Sequence, residues 1–299
     1  MRGLSSSDEL PCDSTTSVGI VGLDYCGSTL INNILSGLPN CIGIGESHWI
    51  VDKIKNEKQT GRCTECYQSD CPVFTDRLLK LLQEDSLVQE GKWWNTIAEH
   101  AGKNIVVSGD KRPHHYDRFG IPDKLLFIIK DPRSHIVSWA RRKFLNPEDS
   151  LKEYNQGQAV FKLSDEQFEE ALHFWIKNTR KHISWSIESG KDLAVISLES
   201  FINNDAEILQ LLADWLGTKN DINALKYWET DLHYIGSNHS VKRLGKERYF
   251  FKKLKTDKRW ESVLSEEQVK SITTNEKLIY QIARLKPFIL GNQEIFDED

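Results

Sequence analysis

The segment GLDYCGST at residues 22–29 has the glycine spacing of a phosphate-binding loop. In the common form of such a loop, G-x-x-x-x-G-K-[ST], a lysine reaches the terminal phosphates of the ligand. Here Ser28 and Thr29 follow Gly27 directly, so that lysine is missing. The segment therefore predicts an anion site whose positive charge comes from another part of the chain.

The residues on both sides of this segment are suited to hold it in place. TSVGIVGL (16–23) is apolar and β-branched, which is typical of a buried strand ending at Gly22. STLINNILSGL (28–38) has apolar residues at helical spacing, and we expect Ser28 to cap this helix. A strand, a glycine turn and a helix N-terminus direct backbone N–H groups at an anion. An ordinary strand-to-helix turn favours the same residue types, so a second site is needed to decide.

A second anion site is predicted by LLFIIKDPRSHIVSWARRKF at residues 125–144. An apolar strand ends at Lys130, a helix begins near Arg133, and Ser138 lies on that helix. Basic residues at the carboxyl end of a strand lie where open α/β sheets bind ligands. Lysine, arginine and a serine hydroxyl can together hold a compact dianion. A solvated basic helix would explain the arginines but not a lysine at the end of a buried strand.

Further strand patterns alternate with helical patterns along the chain. The strands are predicted at 103–109, 124–130 and 192–198, and a long helix at 166–189. This alternation predicts an α/β fold with a central parallel sheet and helices on both faces. The predicted fold class is therefore a three-layer sandwich, and the glycine loop after its first strand makes it resemble P-loop nucleotide-binding folds.

The composition narrows the class of protein. The chain has 299 residues, of which 39% are hydrophobic and 28% charged, and a net charge of -5. These values are typical of a globular protein without general affinity for nucleic acid. No apolar run suits a signal peptide or a bilayer span, so we expect a cytoplasmic protein without a membrane partner. We expect a flexible tail over 1–16 and a single domain over 17–299.

Together the two sites resemble the cofactor signatures of sulfotransferases that use 3′-phosphoadenosine 5′-phosphosulfate. Family members read G-x-x-R-S-G-S-T-L in the loop and R-D-P-R-x-x-x-x-S at the second site. IGESHWI (44–50) and GDKRP (109–113) resemble further segments of carbohydrate, tyrosylprotein and bacterial members. The resemblance runs from about residue 17 to about residue 260. It implies this sulfate donor as cofactor and adenosine 3′,5′-bisphosphate as its product.

In this family the loop holds the 5′-phosphosulfate and the second motif holds the 3′-phosphate. A late basic segment over 233–260 resembles the part that covers the 3′-phosphate, although a solvated charged face has the same composition. The cofactor contacts implied by the resemblance are Gly22, Tyr25, Cys26, Gly27, Ser28, Thr29, Lys130, Arg133, Ser138, Lys242 and Arg243. Tyr25 departs from the pattern, because members have a basic residue there. Lys111 is our candidate for the replacement cation.

The resemblance also implies the residues of catalysis. Sulfuryl transfer needs in-line attack, charge stabilisation and a base for the acceptor proton. Glu46 matches the position of that base, and Lys111 would stabilise the leaving oxygen. The acceptor pocket is expected to include His48, Trp49, His114 and His115, and the histidines are rival bases.

The acceptor is expected to be a small molecule, with natural products, carbohydrates and lipids all allowed. The protein is expected to be a monomer or homodimer, without a catalytic metal. A non-catalytic nucleotide-binding protein of the same fold is the alternative, because of Tyr25. A P-loop kinase is disfavoured by the missing lysine.

A cysteine-containing insertion is predicted at about 60–75 by CTECYQSDCP. Cys63 and Cys66 have the C-x-x-C spacing of a zinc knuckle, and Cys71 adds a third thiol. Zinc, a disulfide and free thiols all fit this pattern. A fourth zinc ligand would come from elsewhere, with Cys41 or His48 as candidates.

Overall fold

A computed structural model of the chain describes residues 15–50, 63–66, 71–145, 162–236 and 254–295. Nearly all of the predicted tail lies outside these residues, as do Lys242 and Arg243 of the basic segment. The predicted roles of those two residues therefore stay predictions.

Five parallel strands form the centre of the described fold. They are β1 (Thr16–Val21), β2 (Cys41–Gly45), β3 (Ile105–Lys111), β4 (Lys124–Ile129) and β5 (Asp192–Ser197). Their order across the sheet is β2-β3-β1-β4-β5, and each neighbouring pair is parallel. The strands predicted from the sequence are confirmed, with ends that differ by one or two residues.

Along the chain, helices lie between the strands, and further helices come after the last strand. The helices of the described ranges are α1 (Ser28–Ser36), α2 (Asp76–Leu81), α3 (Asp85–Gln89), α4 (Trp93–Ala101), α5 (Pro113–Tyr116), α6 (Pro132–Phe144), α7 (Asp165–Glu188), α8 (Leu198–Asn203), α9 (Asp205–Leu216), α10 (Trp260–Val263), α11 (Glu266–Thr273) and α12 (Glu276–Leu285), with 3₁₀ helices at Ile222–Glu229 and Lys286–Phe288. None of these helices has the length and apolar character needed to cross a bilayer. The long helix predicted at 166–189 is confirmed as α7.

The side chains of β1 show why two helical layers form. Val18 and Ile20 point to one face and pack in a core shared with α1 and α9. Val21 points to the other face and packs in a core shared with α4, α6 and α7. Successive side chains of a strand alternate between faces, so an apolar strand needs cover on both. The predicted three-layer sandwich is therefore confirmed.

The strand order also fixes where a ligand can bind. β1 lies between β3 and β4, and the chain adds strands first on one side of β1 and then on the other. Open α/β sheets bind ligands at the carboxyl ends of the strands where this direction changes. The glycine loop follows β1 at that edge, Lys111 ends β3, and Lys130 directly follows β4.

Candidate functional site

The glycine loop is a tight turn between β1 and α1. Tyr25 and Gly27 both have left-handed backbone conformations, with φ of 70° and 91°. A Cβ at Gly22 would lie 2.8 Å from both Cys26 Sγ and the Ile128 carbonyl oxygen, so only glycine fits there. Burial raises the pKa of the Cys26 thiol to about 11, so this side chain is neutral and packs in the core.

The predicted helix cap at Ser28 is wrong. Gly27 occupies the N-cap position of α1, without a side-chain hydrogen bond to the first turn, and Ser28 is the first helical residue. The left-handed conformation of Gly27 turns the chain into the helix without a capping side chain. The N-cap residue of α1 therefore supplies no capping side chain, and the Cys26 thiol accepts a hydrogen bond from the Ser28 backbone N–H.

Two buried histidines hold the loop from the helical layer behind it. His182 donates through Nδ1–H to the Gly22 carbonyl oxygen at 3.0 Å, and His135 donates through Nε2–H to the Asp24 carbonyl oxygen at 2.8 Å. Burial lowers the pKa of His182 to about 4 and that of His135 to about 3. Both rings are therefore neutral near pH 7, and they fix the loop through its carbonyl groups.

This arrangement predicts a loss of stability in mild acid. An unfolded histidine titrates near 6.5, whereas folded His182 titrates near 4, so the unfolded chain binds more protons between these values. The free energy of unfolding therefore has its highest value above about pH 6.5, and it falls as the pH drops toward 4. His182 alone contributes about 2–3 kcal/mol to this fall. Denaturant unfolding at several pH values measures it.

A matched pair of variants separates this effect from general acid sensitivity. His182→Asn should flatten the pH dependence, whereas His173→Asn on the exposed side of the same helix should leave it unchanged. An identical pH dependence in the two variants would contradict the assignment to His182.

Lys111 and Glu46 form a shielded ion pair beside the loop. Lys111 Nζ lies 2.5 Å from Glu46 Oε1, and each side chain is 15% exposed. Burial lowers the pKa of Lys111, but the carboxylates of Glu46 and Asp24 outweigh it, so the pKa is raised. The Lys111 carbonyl also accepts from the Gly22 N–H at 3.1 Å. Lys111 is therefore a charged group directly against the loop.

The backbone of Lys111 is itself unusual. Its φ of 66° places a residue other than glycine in the left-handed region. Such conformations cost on the order of 1 kcal/mol and persist where the surrounding structure fixes them, often at functional sites.

The second carboxylate oxygen of Glu46 is also held. Trp49 donates its indole N–H to Glu46 Oε2 at 2.8 Å, and the Glu46 backbone N–H donates to the Ile235 carbonyl at 2.8 Å. Trp49 itself is 37% exposed. The position of Glu46 is thus fixed by contacts from β3, from its own turn and from residue 235.

A buried carboxylate, Asp110, organises the neighbouring histidines. Asp110 accepts from the His48 backbone N–H at 3.0 Å and lies 2.5 Å from His48 Nδ1. His115 stacks on His48 with ring centres 3.8 Å apart, and burial beside His48 lowers the pKa of His115 to about 4. Burial raises the pKa of Asp110, but its bonds to His48 and Ser47 outweigh this and lower it. Asp110 is therefore ionised and orients His48.

The four residues predicted for the acceptor pocket thus share one corner of the molecule. His48 and His115 form a stacked pair against Asp110, His114 lies edge-on to His115, and Trp49 contacts Glu46. Sequence analysis placed Asp110 within GDKRP but assigned it no role. Its role follows from contacts across 62 residues of the chain.

A cluster of cationic side chains lies at the carboxyl end of β4. Lys130 Nζ lies 3.1 Å from Ser138 Oγ and 2.9 Å from Asp257 Oδ2. Arg259 Nη2 lies 2.6 Å from the same Asp257 oxygen and 3.4 Å from Ser138 Oγ. Burial raises the pKa of Asp257, but Arg259 and Lys130 outweigh it and hold the pKa far below its ordinary value. The cluster therefore already binds one anion, a carboxylate of the chain itself.

Arg133 lies next to this cluster but has another partner. Its guanidinium pairs with Asp131 at 2.7 Å and stacks 4.2 Å from the centre of the Trp260 ring. The structure therefore brings together two of the three residues predicted here, Lys130 and Ser138. Arg259, which sequence analysis did not single out, is the arginine that contacts Asp257.

A cavity of about 550 Å³ lies beside Arg133 and Asp257. The carboxylates that line it are Asp131, Glu199, Glu207, Asp257, Glu261 and Glu294. Burial raises the pKa of Glu199 to about 7. Because carboxylates outnumber the lining cations Arg133 and Lys258, this cavity suits a phosphate group less well than the positions beside Lys111 and Lys130 do.

The cysteines of the insertion converge on a residue that was not predicted. Cys63, Cys66 and Cys71 lie around His233. The proposed fourth ligands were wrong: Cys41 is buried in the opposite core, and His48 is bound to Asp110. Sequence spacing gave no signal for His233, which lies 170 residues after Cys63.

Comparison with known proteins supports the fold. No protein-family model and no curated protein matches the chain. Among solved structures, the sulfotransferase domain of the curacin biosynthetic pathway aligns over 91% of this chain and 98% of its own, with a TM-score of 0.55 and 16% identity.

Two weaker likenesses are also found. The sulfotransferase domain of the Synechococcus PCC 7002 olefin synthase covers 98% of this chain and 100% of its own, with a TM-score of 0.49 and 15% identity. A sulfotransferase of Mycobacterium tuberculosis H37Rv covers 74% of this chain and 73% of its own, with a TM-score of 0.39 and 9% identity. The chain therefore has the α/β fold of sulfotransferase domains, as the likeness to the curacin domain shows.

Proposed function

We propose that the chain is a sulfotransferase that uses 3′-phosphoadenosine 5′-phosphosulfate and sulfates a hydroxyl or amine of a small molecule. The observation that carries this proposal is the placement of Lys111 and of the cluster of Lys130, Ser138 and Arg259 at the edge that holds the glycine loop. Two anion sites at one sheet edge suit a nucleotide with phosphate groups at both its 5′ and 3′ positions. The fold shared with the curacin sulfotransferase domain also supports this proposal.

The residues present fit such a donor. The loop of residues 22–29 and the N-terminus of α1 would hold the 5′-phosphosulfate. Lys130, Ser138 and Arg259 would hold the 3′-phosphate, since they already bind the carboxylate of Asp257. When bound, the donor supplies an activated sulfuryl group for in-line transfer.

Glu46 and Lys111 would perform the proton and charge chemistry. Glu46 pairs with Lys111, and its carboxylate would accept the proton that the acceptor hydroxyl or amine loses. Lys111 lies between Glu46 and the loop, where it can stabilise negative charge on the leaving oxygen. It would thereby take the place of the basic residue that Tyr25 replaces.

The acceptor is proposed to bind beside Glu46, near Trp49 and the stacked histidines. The curacin domain comes from a biosynthetic pathway, and this motivates a natural product as the acceptor. A non-catalytic nucleotide-binding protein is the second candidate, and the observation that favours it is Tyr25 in the loop.

Nucleotide selectivity tests the donor site. We expect calorimetry to show that adenosine 3′,5′-bisphosphate binds at least about tenfold more tightly than adenosine 5′-phosphate, because charged hydrogen bonds contribute roughly 1.5–3 kcal/mol. Equal affinities would mean that the Lys130 cluster does not contact a 3′-phosphate. Tighter binding of magnesium adenosine triphosphate than of the bisphosphate would favour a kinase.

Two substitutions in the cluster should shift this selectivity in opposite directions. Lys130→Met should remove most of it, whereas Asp257→Asn should increase affinity for the bisphosphate, because the variant lacks the carboxylate that competes for Lys130 and Arg259. Neither change should alter the affinity for adenosine 5′-phosphate by more than about twofold. A loss of bisphosphate affinity in Asp257→Asn would instead show that Asp257 orients the two cations in the bound state.

A further inference from the structure

Three thiols and one imidazole meet in a buried cluster at the edge of the sheet. His233 Nδ1 lies 3.3 Å from Cys66 Sγ, 3.5 Å from Cys71 Sγ and 4.0 Å from Cys63 Sγ. All four ligand atoms lie within 4.8 Å of one another. Cys63, Cys71 and His233 are buried, and Cys66 is partly buried. This part of the chain therefore gathers four soft or borderline donors around one point.

The distances match the edges of a tetrahedral zinc site. Zinc binds sulfur at about 2.3 Å and imidazole nitrogen at about 2.0 Å, so a tetrahedron has sulfur-to-nitrogen edges of about 3.5 Å. The three observed sulfur-to-nitrogen distances, 3.3, 3.5 and 4.0 Å, lie around this value. A disulfide would instead bring two sulfurs to bonding distance, whereas these cysteines are free thiols.

The surroundings of His233 prepare its Nδ1 atom for a metal. The other ring nitrogen, Nε2, lies 3.2 Å from the Asp231 carboxylate. A proton on Nε2 is therefore stabilised, which leaves the lone pair of Nδ1 directed at the cysteines. A carboxylate behind a ligating histidine is the usual outer-shell arrangement of zinc sites. Cys71 Sγ also accepts from the Phe74 backbone N–H at 3.2 Å, a bond that fixes the position of this sulfur in the cluster.

We propose that Cys63, Cys66, Cys71 and His233 bind one Zn²⁺ ion as a structural site. Four protein ligands complete a tetrahedron and leave no position for a substrate, which distinguishes structural from catalytic zinc. Three thiolates and a neutral imidazole give the loaded site a net charge of -1. The ion links the insertion to a segment 170 residues later in the chain.

The linked segments continue directly to Glu46. The Thr64 N–H donates to the Tyr234 carbonyl at 2.7 Å, and the Tyr234 hydroxyl donates to Glu65 Oε1 at 2.6 Å. Residue Ile235 then pairs with the end of β2, where its carbonyl accepts from the Glu46 N–H at 2.8 Å. The zinc would therefore hold the backbone that positions Glu46. This last consequence rests on the proposed function, whereas the metal site does not.

The metal content of the purified full-length chain tests the proposal. After removal of any affinity tag, elemental analysis should find about one zinc ion per chain. Cys66→Ser and His233→Ala should lose most of it, with folding checked by circular dichroism. Cys41→Ala, which removes a buried thiol outside the cluster, should retain it.

Cobalt provides a second measurement that does not depend on zinc retention. Reduced, metal-free protein loaded with Co²⁺ should show the intense visible bands of a tetrahedral, thiolate-bound ion. His233→Cys should keep a tetrahedral spectrum with shifted bands, because a fourth thiolate replaces the imidazole.

Three results would overturn the proposal. They are stoichiometric iron in place of zinc, a disulfide among the three cysteines in the freshly isolated protein, or reduced protein that binds neither zinc nor cobalt. None of these measurements uses sulfate transfer, so failure of the metal site and failure of the proposed activity can be distinguished.

Discussion

Glu46→Gln is expected to lower the rate of sulfate transfer at least about 10²-fold while leaving affinity for adenosine 3′,5′-bisphosphate nearly unchanged. The substitution keeps the shape of the side chain and the bond from Trp49, but it removes the group that accepts the acceptor proton. It also removes the negative partner of Lys111, whose charge then faces the loop alone. Steady-state turnover together with calorimetry separates the two effects.

His48 provides the competing assignment and therefore the control. Asp110 orients His48 in the way that a carboxylate orients the histidine of a catalytic triad, so His48 is a second possible base. His48→Asn should reduce turnover less than Glu46→Gln if Glu46 accepts the proton. Loss of turnover in His48→Asn, with Glu46→Gln active, would move the base to His48.

Lys111→Met is expected to reduce turnover by about 10²–10³-fold, the range for loss of one preorganised group that stabilises transition-state charge. The charge of Lys111 matters most as the leaving oxygen becomes negative, so we expect bisphosphate affinity to fall by much less than turnover. Its shielded position beside the loop makes the charge effective, because few waters screen it.

The neighbouring cation is the matched control for this prediction. Arg112 pairs with Asp24 of the loop but is exposed. Arg112→Met should therefore reduce turnover only a few-fold, since a screened charge contributes little. Equal effects of the two substitutions would show that general positive charge near the loop, rather than the position of Lys111, supports the reaction.

Local sequence patterns predict most of this fold because its central strands are short apolar runs bounded by polar residues. β1, β4 and β5 have this form, and the glycine loop follows β1 directly, so its place needs no tertiary information. β2 has the sequence CIGIG, in which two glycines weaken the strand signal. The prediction that Ser28 caps α1 is wrong because capping preferences do not reveal that Gly27 adopts a left-handed conformation.

The contacts that complete the candidate site join residues far apart in the chain. Asp257 lies 127 residues after Lys130, and His182 lies 160 residues after Gly22. No periodicity or spacing rule links such pairs, since only the folded sheet brings their elements together. Lys130 and Ser138 could be predicted because both belong to one strand–helix unit. Arg259 lies in the basic segment 233–260 that the resemblance implies for the 3′-phosphate, but its basic neighbours give the same signal, so the sequence does not single it out.

An assay of sulfate transfer from a donor that carries radioactive sulfur tests the proposed sulfotransferase activity directly. The purified chain is incubated with labelled 3′-phosphoadenosine 5′-phosphosulfate and a broad panel of hydroxyl- and amine-containing metabolites. Label should move to at least one acceptor in step with release of adenosine 3′,5′-bisphosphate, and Lys111→Met and Glu46→Gln should slow both processes together. Tight bisphosphate binding with no labelled product across the panel would contradict it and identify a nucleotide-binding protein without transferase activity.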